Sequence, residues 1–188
     1  TAPPPPAPGP TYSSGITGAQ TTSKNAKTAV RQAQSGNEIY VEQAGSNNTF
    51  TLRQGGYSTG KAHIELYSTG DSNTLNLNQA LDVSGASVGS TSGHYQLAYV
   101  AGNNNALVTQ QTNSGGVGSH YLETTIAGNN NAVMESQLNN GNKVMFVSVN
   151  GDNNGISATQ RGSGSHYLDI TLAGNGNSVN ATQDGSAN

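Results

Sequence analysis

Six glycines constrain this chain more than any other feature. Gly45, Gly70, Gly102, Gly128, Gly151 and Gly174 are each followed three residues later by an asparagine: Asn48, Asn73, Asn105, Asn131, Asn154 and Asn177. Nine residues after each glycine stands a glutamine: Gln54, Gln79, Gln111, Gln137, Gln160 and Gln183. From composition, both matches would follow a given glycine on the order of once in a hundred. Six occurrences therefore define an internal repeat. Successive glycines lie 25, 32, 26, 23 and 23 residues apart, while the Gly-to-Gln window keeps one length. One turn of the unit is thus tight and fixed. Length varies only between each glutamine and the next unit, most of all at residues 80–93.

Inside a unit the hydrophobic period is two, the signature of a strand with one buried face. Five residues after the glycine come Phe50, Leu75, Leu107, Val133, Ile156 and Val179, an apolar row. Two residues further along the same face are Leu52, Leu77, Thr109, Glu135, Ala158 and Ala181, where Glu135 is the misfit. Before the glycine a second strand alternates in step, with Ile39, Ile64, Gln96, Leu122, Met145 and Leu168 six residues upstream. Each unit reads as strand, G-x-x-N turn, strand. A lone two-stranded unit cannot cover its apolar face. Folding the two strands over each other and stacking the units in parallel does cover it. The expected fold is all-β, a two-sided parallel β-solenoid of about six rungs. At about 4.8 Å per rung the stack would rise roughly 29 Å, with sheets about 10 Å apart. Identical positions then lie above one another, so the Asn and Gln rows become amide ladders, a device of cross-β stacks. Their reading is structural, with no chemistry assigned.

Composition agrees. Only 32% of the 188 residues are hydrophobic and 9% charged, against about 45–50% and 25% in ordinary domains. A thin layered core suits such a chain better than a compact globule, and the low charge argues against a self-repelling disordered one. A net charge of -3 excludes a nucleic-acid binder built on a basic surface. There is no cysteine, hence no disulfide or thiolate chemistry. No apolar run approaches the roughly 20 residues of a helical membrane span. The chain begins at Thr1, as a processed or excised chain would.

All six prolines fall within residues 1–10, a polyproline II tether. Residues 11–35 are Ser/Thr/Ala-rich, with Lys24, Lys27 and Arg31, and are expected either to cover the first rung or to be loose. The expected organisation is an N-terminal segment at 1–35, disordered or loosely docked, followed by the six-repeat solenoid at 36–188. Only Asp-Gly-Ser-Ala-Asn follows Gln183 in this sequence, so the expectation is a last rung without the polar cap of a monomeric solenoid. Such an open parallel edge templates another copy, and head-to-tail contact of this kind gives an open filament.

The stretch Gln43–Gln54, Q-A-G-S-N-N-T-F-T-L-R-Q, resembles a curlin repeat, Q-x-G-x-x-N-x-hydrophobic-x-x-x-Q. The later units keep the glycine, asparagine and second glutamine, so the resemblance covers about residues 37–183. The first glutamine of the pattern survives only as Gln43, and its opening serine is replaced by Asn37, Ala62, His94, His120, Lys143 and His166. The chain thus resembles a divergent member of the family. The resemblance implies a subunit of curli-type functional amyloid, secreted through an outer-membrane channel, nucleated by another subunit and polymerised with itself in the extracellular biofilm matrix. It also places a secretion-recognition region before the repeats.

Other candidates are weaker. His94, His120 and His166 recur eight residues before the glycine, each followed by tyrosine. Adjacent rungs would put His94 and His120 about 5 Å apart, close enough for a borderline metal or a proton switch. Lys143 interrupts the row, and a polar rung end is the plainer reading. Glu135 is read as structural: neutral, exposed at the sheet's end or paired with Lys143. Glycine-rich runs lack a Walker lysine, Asp152–Gly155 lacks calcium-loop spacing, and no catalytic set converges. The expectation is a non-enzyme without metal or cofactor. The alternative is a monomeric β-solenoid binding module, an adhesin or ice binder. The outward row Thr49/Thr51, Thr74/Asn76, Ala106/Val108, Ala132/Met134 is too irregular for an ice lattice.

Overall fold

The computed structural model describes residues 27–32, 38–54, 62–80, 93–113 and 118–186. The proline tether at 1–10 and residues 81–92 of the longest loop lie outside the described residues. There are thirteen strands and no helix in the described chain. They are β1 (Lys27–Gln32), β2 (Glu38–Ala44), β3 (Thr49–Gln54), β4 (His63–Thr69), β5 (Thr74–Gln79), β6 (Tyr95–Ala101), β7 (Ala106–Thr112), β8 (His120–Ala127), β9 (Ala132–Leu138), β10 (Lys143–Asn150), β11 (Gly155–Arg161), β12 (His166–Ala173) and β13 (Ser178–Asp184).

Odd-numbered strands form one sheet in the order β1-β3-β5-β7-β9-β11-β13, and even-numbered strands the other, β2 to β12. Every neighbouring pair is parallel. This is the two-sided solenoid, with six strand–turn–strand rungs from β2–β3 to β12–β13. Register keeps like on like: Gln54, Gln79, Gln111, Gln137, Gln160 and Gln183 are successive Cα partners, as are the six residues of the apolar row.

The core lies between the sheets. Phe50, Leu75, Leu107, Val133 and Ile156 are buried from the odd sheet, and Ile39, Ile64, Leu122, Met145 and Val147 from the even sheet. Each such side chain contributes about 1.5–3 kcal/mol. In the last rung Leu168, Leu172, Val179 and Ala181 are only partly buried, because nothing among the described residues stacks on them.

β1 falls inside the segment set apart at 1–35. Its Ala-Val-Arg-Gln matches Thr-Leu-Arg-Gln of β3, and Gln32 is the Cα partner of Gln54. It lacks the Gly-x-x-Asn turn, so a search anchored on glycine passes over it.

Candidate functional site

The tight turn is built by backbone chemistry. The six repeat glycines have φ between 110 and 137°, where an L side chain is strained. Two residues on, Asn47, Ser72, Asn104, Asn130, Asn153 and Gly176 are left-handed, with φ between 56 and 70°. Asparagine tolerates that region better than most residues. Close approach is a second reason for glycine. A Cβ on Gly45, Gly70, Gly102, Gly128 or Gly151 would lie 1.9–2.2 Å from the carbonyl oxygen of the next rung's glycine.

The asparagine row is a ladder, but a different one from the amide-on-amide stack expected. Asn48 Oδ1 accepts from Asn73 N at 2.8 Å, and Asn48 Nδ2 donates to Gly70 O at 2.8 Å. The same pair of bonds recurs from Asn73, Asn105, Asn131 and Asn154 to the rung above. Direct bonds between these amides occur only from Asn131 to Asn105 and from Asn177 to Asn154. The reason is reach. The short side chain sits inside the bend, where backbone groups left unpaired by the turn are its nearest partners.

A further ladder stands one residue after the glycine. Ser46 N donates to Asp71 Oδ1, Asp71 N to Asn103 Oδ1, Asn103 N to Asn129 Oδ1, Asn129 N to Asp152 Oδ1, and Asp152 N to Asn175 Oδ1. Sequence reasoning missed it, although Asp or Asn fills five of the six positions.

The glutamines are the amide ladder proper. Nε2 of Gln54, Gln79, Gln111, Gln137 and Gln160 donates to Oε1 of the next at 2.8–3.0 Å. Each Nε2 also donates across the rung to a backbone carbonyl at the start of the even strand, from Glu38 O to Tyr167 O. The glutamine thus closes the rung beside the variable loop, which is why that loop can change length.

At the strand starts, His94 and His120 are buried and stacked, with ring centroids 4.6 Å apart and planes 7° apart. His94 Nδ1 accepts from His120 N at 3.1 Å, so that nitrogen carries no proton. Burial, reinforced by the charge of His120, pushes His94 down to about 3; burial, partly offset by the hydrogen bond to Thr112 O and reinforced by Lys143, pushes His120 down to about 4. A proton switch near neutrality is not available to this pair. His166 stands apart beyond Lys143, bonded to Arg161 O. Lys143 is fully buried; its Nζ donates to Asn140 O, Gly162 O and Gly164 O, and burial lowers its pKa. Among the described residues no three His, Asp or Glu side chains gather to hold a metal.

Of the three readings of Glu135, the structure selects the neutral one. It is fully buried, and its Oε2 accepts from Thr124 Oγ1 at 2.6 Å. No ion pair with Lys143 forms; the lysine spends its donors on carbonyls. Burial, partly offset by the Thr124 hydrogen bond, pushes the carboxyl up to about 8.

The two outer faces differ. The even sheet carries tyrosines interleaved with carboxylates: Tyr40 donates to Glu42, Tyr67 and Tyr95 to Glu65, and Tyr121 to Glu123. Tyr67 stacks on Tyr99 and Tyr95 on Tyr121, at 5.0 and 5.2 Å. Burial and the adjacent carboxylate push Tyr121 up to about 12. The odd sheet has a shallow apolar groove of about 520 Å³ along Ala106, Ala132, Gly155 and Ser178, beside Val108 and Met134.

The remaining feature is the β12/β13 edge. These are the outermost strands of both sheets at one end, and among the described residues no strand pairs with their far side. His166 N donates back to Asn142 O and Gly174 N to Asn150 O. By the alternation of a parallel ladder, the N–H groups of odd-numbered residues of β12 face outward. Compared with protein-family models, curated proteins and solved structures, the chain has no match.

Proposed function

We propose that this chain is a structural subunit that assembles head to tail into an extracellular, curli-like amyloid fibre. The observation that carries the reading is the β12/β13 edge. It presents the outward half of two parallel ladders, with Asn177 and Gln183 heading the amide rows. Every rung below repeats the same spacing and bonds, so the surface that accepts a rung is the one the next copy would bring. By its resemblance to curlin repeats, secretion through an outer-membrane channel, a nucleator subunit and a place in the biofilm matrix belong to the same proposal. No catalytic role is part of it.

A monomeric binding module is the second reading, favoured by the tyrosine–carboxylate face and the apolar groove. Electron microscopy with X-ray fibre diffraction of purified protein at neutral pH separates the two. Unbranched filaments with reflections near 4.7–4.8 Å along the axis and about 10 Å across it are expected. A stable β-rich monomer at high concentration, without filaments, overturns the fibre reading and moves attention to the outer faces.

A further inference from the structure

With no cysteine and no tryptophan in the chain, tyrosine is its main redox-active residue. Six of the eight tyrosines, Tyr40, Tyr67, Tyr95, Tyr99, Tyr121 and Tyr167, stand at outward positions of the even sheet by the alternation of its strands. Tyr95 of β6 and Tyr121 of β8 are Cα partners. Their rings are stacked 5.2 Å apart with planes only 3° apart, and both are partly exposed. The pair is bounded along its column. His63 stacks on the far side of Tyr95 at 5.0 Å, and Val144 is the partner of Tyr121 on the next strand.

Each phenol of the pair has its own base. Tyr95 donates to Glu65 Oε2 at 3.1 Å and Tyr121 to Glu123 Oε2 at 2.9 Å. A carboxylate within hydrogen-bond reach takes the phenol proton as an electron leaves, so that a neutral radical forms. Burial and the same carboxylates raise the pKa of both phenols, which closes the route through free phenolate at neutral pH. We propose that Tyr95 and Tyr121 form an oxidative cross-linking site, joined as dityrosine by a one-electron oxidant such as a haem peroxidase with hydrogen peroxide, with Glu65 and Glu123 as the proton acceptors. Each ring loses one electron and its phenol proton. The two radicals join through a ring carbon ortho to each oxygen, forming one C–C bond. The hydrogens on those carbons then move to the oxygens and restore both phenols. The net loss is two hydrogen atoms, which reduce one peroxide to two waters.

The other tyrosines of the face lack one part of this arrangement. Tyr67 stacks on Tyr99 at 5.0 Å, but Tyr67 is buried and shares Glu65 with Tyr95. Tyr167 is 59% exposed, yet Val144 stands between it and Tyr121 in the column, and Phe146 meets both rings edge-on. Coupling needs the two rings to tilt until their ortho carbons meet. Partly exposed side chains on an outer face have that freedom, and close-packed ones do not. Both rings belong to one chain, so the site is independent of fibre formation. The bond would tie β6 to β8 and add a covalent link to a stack otherwise held by hydrogen bonds and packing.

The test is oxidation of the full chain, freshly diluted, by a haem peroxidase with limiting hydrogen peroxide. The expected product is a monomer lighter by two hydrogens, with dityrosine fluorescence, in which proteolysis and mass spectrometry find the Tyr95 and Tyr121 peptides joined. Tyr121→Phe keeps the ring and removes the phenol; it should lower the yield of internal link several-fold, while Tyr167→Phe should leave it unchanged. Glu123→Gln keeps an acceptor for Tyr121 but no base, and should slow coupling several-fold at an unchanged urea midpoint. The mapping on the unmodified chain decides without any variant. No dityrosine, a link at Tyr67 and Tyr99 instead, or dimers joined through Tyr167 in place of the internal link overturns the site. An unchanged rate in Glu123→Gln overturns the part given to the carboxylate.

Discussion

At the residue scale, what fixes a position is how near the next rung comes. Gly128 has φ 137°, and a Cβ there would sit 2.1 Å from Gly151 O. Gly155 meets only Ser178 Oγ at 3.9 Å, with no left-handed backbone. Gly128→Ala should cost several kcal/mol, while Gly155→Ala should be neutral or stabilising by a few tenths, as Gly-to-Ala changes at compatible sites are. Urea midpoints of the two variants check the pair; equal effects would remove close stacking as the reason for the turn glycines.

Buried titratable residues bound the pH range. The folded-state pKa of Glu135 is raised from 4.5 to about 8. Its neutral form is the folded form, so its contribution is fully present below pH 4.5 and is lost as pH rises toward 8. His94 and His120 are lowered from 6.5 to about 3 and about 4. Their contribution is present above pH 6.5 and is lost as pH falls through those values. Stability should therefore fall on both sides of a mildly acidic optimum, at up to about 1.4 kcal/mol per pH unit for each group that titrates. Glu135→Gln should flatten the alkaline side and, because its window of 4.5 to about 8 overlaps that of the histidines, steepen the fall between pH 6.5 and 4.5. An unchanged slope between pH 5 and 8 in that variant's unfolding midpoints would mean that another group governs it.

At the scale of elements, most of the architecture was legible because a stack repeats its own evidence. A single Asn three residues after a glycine means little; six of them share one physical cause. The alternation around Phe50 and Leu75 gave the strands, and constant Gly-to-Gln spacing gave the tight turn. What escaped had no repeated glycine or depended on direction. β1 carries the strand chemistry of β3 without its turn. The bonds of Asn48 go to the backbone because a short amide inside a bend reaches that first, a geometry that residue identity does not state. Glu135 was recognisable as a misfit, but its Thr124 partner comes from the other sheet. The same asymmetry of the rung makes a prediction about length. Gln79 closes its rung through His63 O, His94 O and Gln111, so one glycine inserted after Gly85, in the longest connection between repeats, should cost about 1 kcal/mol or less. The same insertion between Asn129 and Asn130 breaks two ladders at once and should unfold the neighbouring rungs. Circular dichroism and urea titration of both chains read the difference.

At the scale of the whole molecule, a solenoid's stability and its self-association come from the same bonds, so a useful test must separate them. Most substitutions cannot: removing a ladder residue weakens the subunit as well as the joint. The terminal even strand offers one that can. In β12 the N–H of His166 and that of Gly174 point back to β10, and so do those of the even-numbered residues between them. Thr171 lies on the other phase; its side chain is exposed and its N–H faces the open edge. Proline at 171 therefore removes no bond within the subunit and keeps the inward Ile170 and Leu172, yet it withdraws a donor and places a ring where an added strand must lie. Thr171→Pro should leave the strand signal and the urea midpoint of the monomer close to those of the unmodified chain, while elongation slows at least about tenfold, by analogy with prolines that blunt natural sheet edges. Ile170→Pro, which strikes a donor used by β10, should instead lower stability. Fibres of Thr171→Pro growing at the unmodified rate would show that the β12/β13 edge is not where copies join.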